Sequence, residues 1–251
     1  MDKNSKTSMS FYLRRNVTRF VLLFEGRTGS SYLISSLGAH PEVRALEEGL
    51  VRLKASGHDA QSAWVMKALS IPLLGKSGAV GFKTKLRDIA DPSQFAGLLR
   101  ELGVKVIHMQ RHNRVKVAIS EINCNMLYER TKYYNVYKEE DRLPPIRIDV
   151  ADFKETLAMR EKLDEELKHF VDDLRLPTLN VLYEEILQDE TNTLSGIYSF
   201  LGVPAHATKG ASYKNTSDDL RDALLNFEEL KASVAGTGYE AMFDEVLSRK
   251  P

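Results

Sequence analysis

Phe20-Val21-Leu22-Leu23-Phe24-Glu25-Gly26-Arg27-Thr28-Gly29-Ser30-Ser31-Tyr32-Leu33 is the stretch from which the fold can be read. An apolar, β-prone run ends in a tight polar loop. A helical pattern with Leu33, Ile34 and Leu37 on its apolar side follows at once. Strand, Gly-rich loop and helix in this order aim backbone N–H groups and a helix N-terminus at an anion. Gly26 and Gly29 allow the turn and a close backbone approach, and Ser30 and Ser31 add hydroxyl donors. Arg27 adds a permanent charge carried on a planar fork of donors. The loop therefore reads as a phosphate cradle, although an ordinary βα turn with an exposed Arg would use the same residues. It is not the G-x-x-x-x-G-K-[ST] loop, because Gly-Lys-Ser/Thr is missing.

Outward from this loop, apolar runs and helical patterns alternate. The spacing predicts strands at about 19–25, 43–46, 79–84, 104–110 and 178–183. Helices are expected at about 30–39, 60–69, 92–102, 113–130, 150–174 and 190–201. Val115, Ile119, Ile122 and Met126 fall on one face of the fourth of these helices. Residues 1–18 read as a flexible lead-in, and 131–148 as a long connection broken by Pro144-Pro145. A polar loop at about 206–217 precedes expected helices near 218–231 and 238–248. Strands alternating with helices predict an α/β fold in three α/β/α layers with a mostly parallel central sheet. In such sheets ligands bind beyond the carboxyl ends of the strands. Arg27, Lys83 and Arg111 each lie at the end of a core strand, so all three point to one edge.

The chain has 251 residues, enough for one large α/β domain or two small ones. Its 35 basic and 35 acidic residues cancel, which argues against a polybasic nucleic-acid or membrane-surface protein but allows a local basic pocket. The single cysteine, Cys124, permits no disulfide within the chain and no Cys-rich metal site. No apolar run reaches the roughly 18 residues of a membrane span. Met1 to Ser10 carries no signal-peptide core, so a cytoplasmic location is expected.

A second constellation is Arg111-His112-Asn113-Arg114-Val115-Lys116-Val117-Ala118-Ile119-Ser120. Arg111 closes a strand and Ser120 lies on the next helix. If the turn folds that helix back over the strand ends, both can touch one phosphate group; alone, they are ordinary residues of a solvated face.

Together these motifs resemble the sulfotransferases that use 3′-phosphoadenosine-5′-phosphosulfate (PAPS). Arg27-Thr28-Gly29-Ser30-Ser31-Tyr32 is similar to their 5′-phosphosulfate loop, in the Arg form of the carbohydrate and nodulation-factor types. Arg111 to Ser120 resembles their 3′-phosphate motif. Tyr183-Glu184-Glu185-Ile186 followed by Phe200-Leu201-Gly202-Val203-Pro204 is similar to a later segment of the same superfamily. The resemblance spans about residues 19–204. The Arg-to-Ser separation of nine fits the trehalose- and nodulation-type branch, whereas the family's usual catalytic His has no clear counterpart; His40 and His58 stand in no matching context.

The resemblance implies a P-loop-NTPase-like single domain over 1–251, with residues 205–251 closing over the cofactor. It implies PAPS as sulfuryl donor, PAP as product, a sugar, glycolipid or hydroxylated metabolite as acceptor, and no metal. Arg27, Thr28, Gly29, Ser30, Ser31, Tyr32, Arg111 and Ser120 would bind the nucleotide. Tyr213 and Lys214 would join them from the tail loop, where an N-cap at Ser217 accounts for the same stretch. Catalysis would rest on Arg27, on Lys83 (otherwise a snorkelling strand-end lysine) and on Glu48 as base, with Glu47 as the alternative. Trp64, Tyr128, Tyr133 and Tyr134 could stack on an acceptor or simply pack. Two other functions fit parts of the pattern: a P-loop-type nucleotide or sugar kinase, and a PAP-sensing protein that does not turn over. Oligomeric state cannot be read from the sequence.

Overall fold

The computed structural model describes residues 17–70, 78–134, 136, 139–210 and 216–247. Five strands form one sheet: β1 (Thr18–Phe24), β2 (Val43–Leu46), β3 (Ala79–Thr84), β4 (Lys105–Gln110) and β5 (Thr178–Leu182). Their order is β2-β3-β1-β4-β5 and every pairing is parallel. β1 sits at the centre, with Leu22 opposite Lys83 of β3 on one side and Ile107 of β4 on the other. A central parallel strand is covered on both faces, which is why Phe20 to Leu23 are apolar without a break and fully buried.

The helices are α1 (Ser30–Gly38), α2 (Gly57–Ala68), α3 (Pro92–Glu101), α4 (Arg114–Thr131), α5 (Val150–Leu174), α6 (Tyr183–Gln188), α7 (Glu190–Leu201) and α8 (Phe227–Ala232). Alternation along β1 divides the core. Phe20, Leu22 and Phe24 pack on α1 and α7 through Leu33, Leu37, Ile197 and Leu201. Val21 and Leu23 pack on the opposite layer, against Val65 of α2, Phe95 and Leu99 of α3, and Leu167 and Leu174 of α5. The expected three-layer α/β/α architecture with its parallel sheet is present. A third apolar cluster lies outside the sheet. It joins Val115 and Ile119 of α4 and Phe153 of α5 to Leu220, Leu224, Phe227 and Phe243 of the tail.

Several boundaries differ from the expected ones. β1 begins at Thr18, so the lead-in cannot extend to residue 18. Tyr183 opens α6 rather than closing β5, and the Glu185 carboxylate accepts a hydrogen bond from the Leu182 N–H at that junction. The two long tail helices are absent among the described residues. Single 3-10 turns, Leu220–Asp222 and Ala241–Phe243, flank the six-residue α8 instead. Gly236 takes a left-handed φ of 74° there, and Leu224 forms a parallel bridge with Ile146, so pairing and turns displace helix. On α4, Met126 is exposed while Ala118 and Leu127 are buried. Its first half is enclosed all round, so no single apolar stripe marks it.

The close β3–β1 pairing yields a stability test. A Cβ on Gly81 would lie 2.4 Å from the Phe20 carbonyl oxygen, whereas one on Gly97, within α3, would meet nothing within 4 Å. Gly81→Ala is expected to cost about 1–3 kcal/mol. Gly97→Ala is expected to gain about 0.5–1 kcal/mol. Urea midpoints measured with a constant m-value check both signs.

Candidate active site

β1 ends in a loop whose backbone is set by its own residues. Thr28 Oγ1 donates to the Glu25 carbonyl at 2.8 Å, and Arg27 is held at a left-handed φ of 68°. Gly29 is the N-cap of α1 at φ 85°, and the Leu33 N–H makes the first intrahelical bond back to it at 3.1 Å. The amides of Ser30, Ser31 and Tyr32 precede that bond, so they are donors without a helical acceptor. Glycine is required at 29 for two reasons. Other residues rarely adopt this φ, and a Cβ would lie 2.4 Å from the Tyr183 ring.

The same ring connects this loop to the next one. Tyr183 lies under the guanidinium of Arg111 at 4.7 Å, and Arg111 Nη1 donates to the Arg27 carbonyl at 3.2 Å. Glu184 accepts from the His112 and Asn113 N–H groups at 3.0–3.1 Å, and Asn113 caps α4 by accepting from the Lys116 N–H. The turn after β4 is thereby locked. α4 then runs back past the first loop, and Arg27 Nε donates to Ser120 Oγ at 3.0 Å. Arg27 Nη1 also reaches Cys124 Sγ at 3.5 Å. The helix after β1 leads toward β2 and the one after β4 leads away from it, so these two loops open the crevice where the strand order reverses.

A cluster of acids and lysines lies on the β3 side. Strand alternation turns Lys83 toward α1, opposite Phe82, and its Nζ donates to Ser31 Oγ at 2.9 Å. Lys83 is 1% exposed, so it is buried in the site and does not snorkel. Its ammonium lies 2.8 Å from Glu47 and 3.5 Å from Glu48. Glu48 also pairs with Lys85, which is 3.4 Å from Asp88. Of the two candidate bases, Glu48 has the less exposed side chain, at 25% against 68% for Glu47, and it is the one held between two lysines.

Beneath the loop is a buried charge cluster. Arg160 of α5 is fully buried and donates through Nη2 to the Gly26 carbonyl at 2.5 Å. Glu25, 1% exposed, stands 3.9 Å from Arg160 and 3.8 Å from Arg87. Burial pushes the Glu25 carboxyl above its ordinary range, against the pull of Arg87 and Arg160. Burial also lowers the pKa of Arg160.

The structure thus brings together Arg27, Thr28, Gly29, Ser30, Ser31, Arg111 and Ser120, with Lys83 and Glu48 alongside. The Tyr32 side chain is not among them: its ring packs in the core and its hydroxyl bonds Glu190. Tyr213 and Lys214 lie outside the described residues. Trp64 packs edge-on against Phe82 at 5.1 Å and fills the space over Gly49, so it is packing. Tyr128 and Tyr134 stack at 4.3 Å, and the Tyr134 carbonyl accepts from Cys124, next to Arg27. Sequence reasoning assigned no role to Lys85 or to Arg160. The latter carries no local signal within a charged amphipathic helix. No helix among the described residues is long and apolar enough to cross a membrane.

No protein-family model matches the chain. It is similar to nodulation protein H of Rhizobium tropici, at 25% identity over 238 residues that cover 90% of this chain and 92% of the relative. Among solved structures it is similar to a sulfotransferase from Alicyclobacillus acidocaldarius (16% identity, 90% of this chain and 95% of that one, TM-score 0.46). It is also similar to the mouse sulfotransferase SULT7A1 complexed with PAP (14% identity, 94% and 77%, TM-score 0.45). The nodulation-type resemblance drawn from three motifs is borne out along nearly the whole chain by the first of these relatives.

The buried carboxyl makes stability pH-dependent in a definite direction. Because burial raises the Glu25 pKa above its ordinary 4.5, the folded protein binds that proton more tightly than the unfolded chain. This contribution is present below about pH 4.5 and is lost as pH rises through the raised folded value. Glu25→Gln has no such titration. The stability difference, variant minus wild type, should therefore climb across this window in urea titrations and level off above it; a pH-independent difference would refute the assignment.

Proposed function

We propose that this protein is a sulfotransferase that moves a sulfuryl group from PAPS to a hydroxyl of a sugar, glycolipid or hydroxylated metabolite. The observation that carries this is the 3.0 Å bond from Arg27 Nε to Ser120 Oγ, which joins the two phosphate motifs into one site. The donor set fits a nucleotide with phosphate at both ends. First-turn amides, Ser30, Ser31 and Arg27 would take the 5′-phosphosulfate, and Ser120 and Arg111, whose Nε lacks a hydrogen-bond partner, the 3′-phosphate.

Sulfuryl transfer is mainly positioning plus stabilisation of oxygen charge, as in phosphoryl transfer. Glu48 takes the acceptor's proton, the freed oxygen forms the new bond to sulfur, and the sulfur–oxygen bond to the leaving phosphate breaks in line. Arg27, the loop amides and Lys83 meet the negative charge left on PAP. Lys85 holds the Glu48 carboxylate toward Lys83 and hence toward the same reacting region. The acceptor is a small molecule or glycan lined by residues of about 47–70 and 125–148. The chain acts as one domain over 1–251, with 205–251 closing over the nucleotide, and works in the cytoplasm, where the single buried Cys124 fits a reducing compartment.

Calorimetry separates this function from a P-loop kinase: PAP should bind and ATP–Mg²⁺ should not. Tight ATP–Mg²⁺ binding without PAP binding would sink the proposal. With labelled PAPS and a screened acceptor, Arg27→Ala should lower kcat/KM by about 10²–10³. Glu48→Gln should lower kcat by about 10²–10⁴ with PAP affinity largely kept. Full activity in Glu48→Gln would assign the base elsewhere, and PAP binding without transfer to any acceptor would favour a nucleotide sensor.

A further inference from the structure

One buried lysine beside the two loop motifs has an ammonium with no hydrogen bond. Lys116 lies one turn before Ser120 on α4, a spacing that sets both on one helix face. It is 3% exposed, and its Nζ has no hydrogen-bond partner. Its counter-charge among the described residues is loose for a buried pair: Asp218 Oδ1 in the tail lies 3.4 Å from Nζ. Ion pairs that form hydrogen bonds close to about 2.7–2.9 Å. Asp218 is tied to the tail through Oδ2, which accepts from the Leu247 N–H at 2.5 Å. The same carboxylate also acts on Arg111, whose surroundings include Arg27.

Lys116 thus stands one turn from the Ser120 that Arg27 bonds, and its partner Asp218 acts, together with Glu184, on Arg111. An ammonium has three donors, and none of those of Lys116 is used in a hydrogen bond. We propose that Lys116 is a further binding residue for the nucleotide's 3′-phosphate, and that Asp218 is the carboxylate from which the phosphate takes it. This rests on the nucleotide site proposed above. A phosphate monoester carries roughly −1.5 to −2 charge and three acceptor oxygens, so it outcompetes one carboxylate oxygen for Lys116. Asp218 keeps its Leu247 bond and repels the incoming phosphate, so it weakens binding selectively for nucleotides that carry one at the 3′ position.

Calorimetry with two probes, PAP and 5′-AMP, tests this on the full chain. Asp218→Asn retains an oxygen for Leu247 and loses the charge; it should tighten PAP by at least about fivefold and leave 5′-AMP unchanged. Lys116→Met should weaken PAP by at least about tenfold, again without moving 5′-AMP. If Lys116→Met does not fold, as judged by thermal melting, Asp218→Asn alone decides. A merely structural tie between tail and helix predicts that Asp218→Asn leaves PAP unchanged or weakens it, or shifts both probes together; any of these overturns the proposal. If wild-type protein fails to bind PAP more tightly than 5′-AMP, the nucleotide site itself falls, and the Lys116 assignment falls with it.

Discussion

The site depends on one contact, the bond between Arg27 and Ser120. It ties the loop after β1 to the helix after β4, and Arg27 makes it from left-handed backbone, a conformation costing roughly 1–2 kcal/mol for a residue with a Cβ. That strain persists because the surroundings determine it from several sides. Thr28 folds back on Glu25, Arg111 holds the Arg27 carbonyl, and Arg160 holds the Gly26 carbonyl from below. Strain confined to a loop and fixed by its neighbours is typical of preorganised functional sites. The Tyr183 ring completes the arrangement, since it packs on Gly29 and supports Arg111 together.

Charge is balanced overall but concentrated at one sheet edge. Burying Lys83 would be costly if it stood alone. Ser31, Glu47 and Glu48 surround it, and Lys85 balances the second carboxylate. Each group is set by a neighbour instead of by solvent, so the cluster is preorganised. The Arg160–Glu25 pair has fewer partners: Arg160 Nε and Nη1 and Glu25 Oε2 make no hydrogen bonds. Its contribution is therefore to fix the Gly26 carbonyl, since an imperfectly bonded buried pair adds little to stability.

The elements that were legible are those whose signal is local. β1 reads as a strand because both of its faces are buried, and the loop reads as a cradle because Gly29 and the serines must stand there. The strand ends alone place Arg27, Lys83 and Arg111 at one edge. The tail misled because its apolar residues have a helical density, but they are spent on the third cluster through short turns and the Ile146–Leu224 bridge. Arg160 was illegible for a related reason. Its partner lies 134 positions away in the chain, and nothing within α5 marks one arginine among the helix's many charges as the buried one.

α4 connects these levels. One side of it carries Ser120 and Cys124 toward the loop, while Val115 and Ile119 anchor the tail. Asn113 at its start both caps the helix and donates to the Met242 carbonyl of the tail at 2.8 Å. A helix so enclosed cannot shift its site face without disturbing its tail face, because packed interiors transmit small displacements. The tail is thus part of what places Ser120 under Arg27. Its charge, through Asp218, adds to that mechanical role an electrostatic one at the same helix.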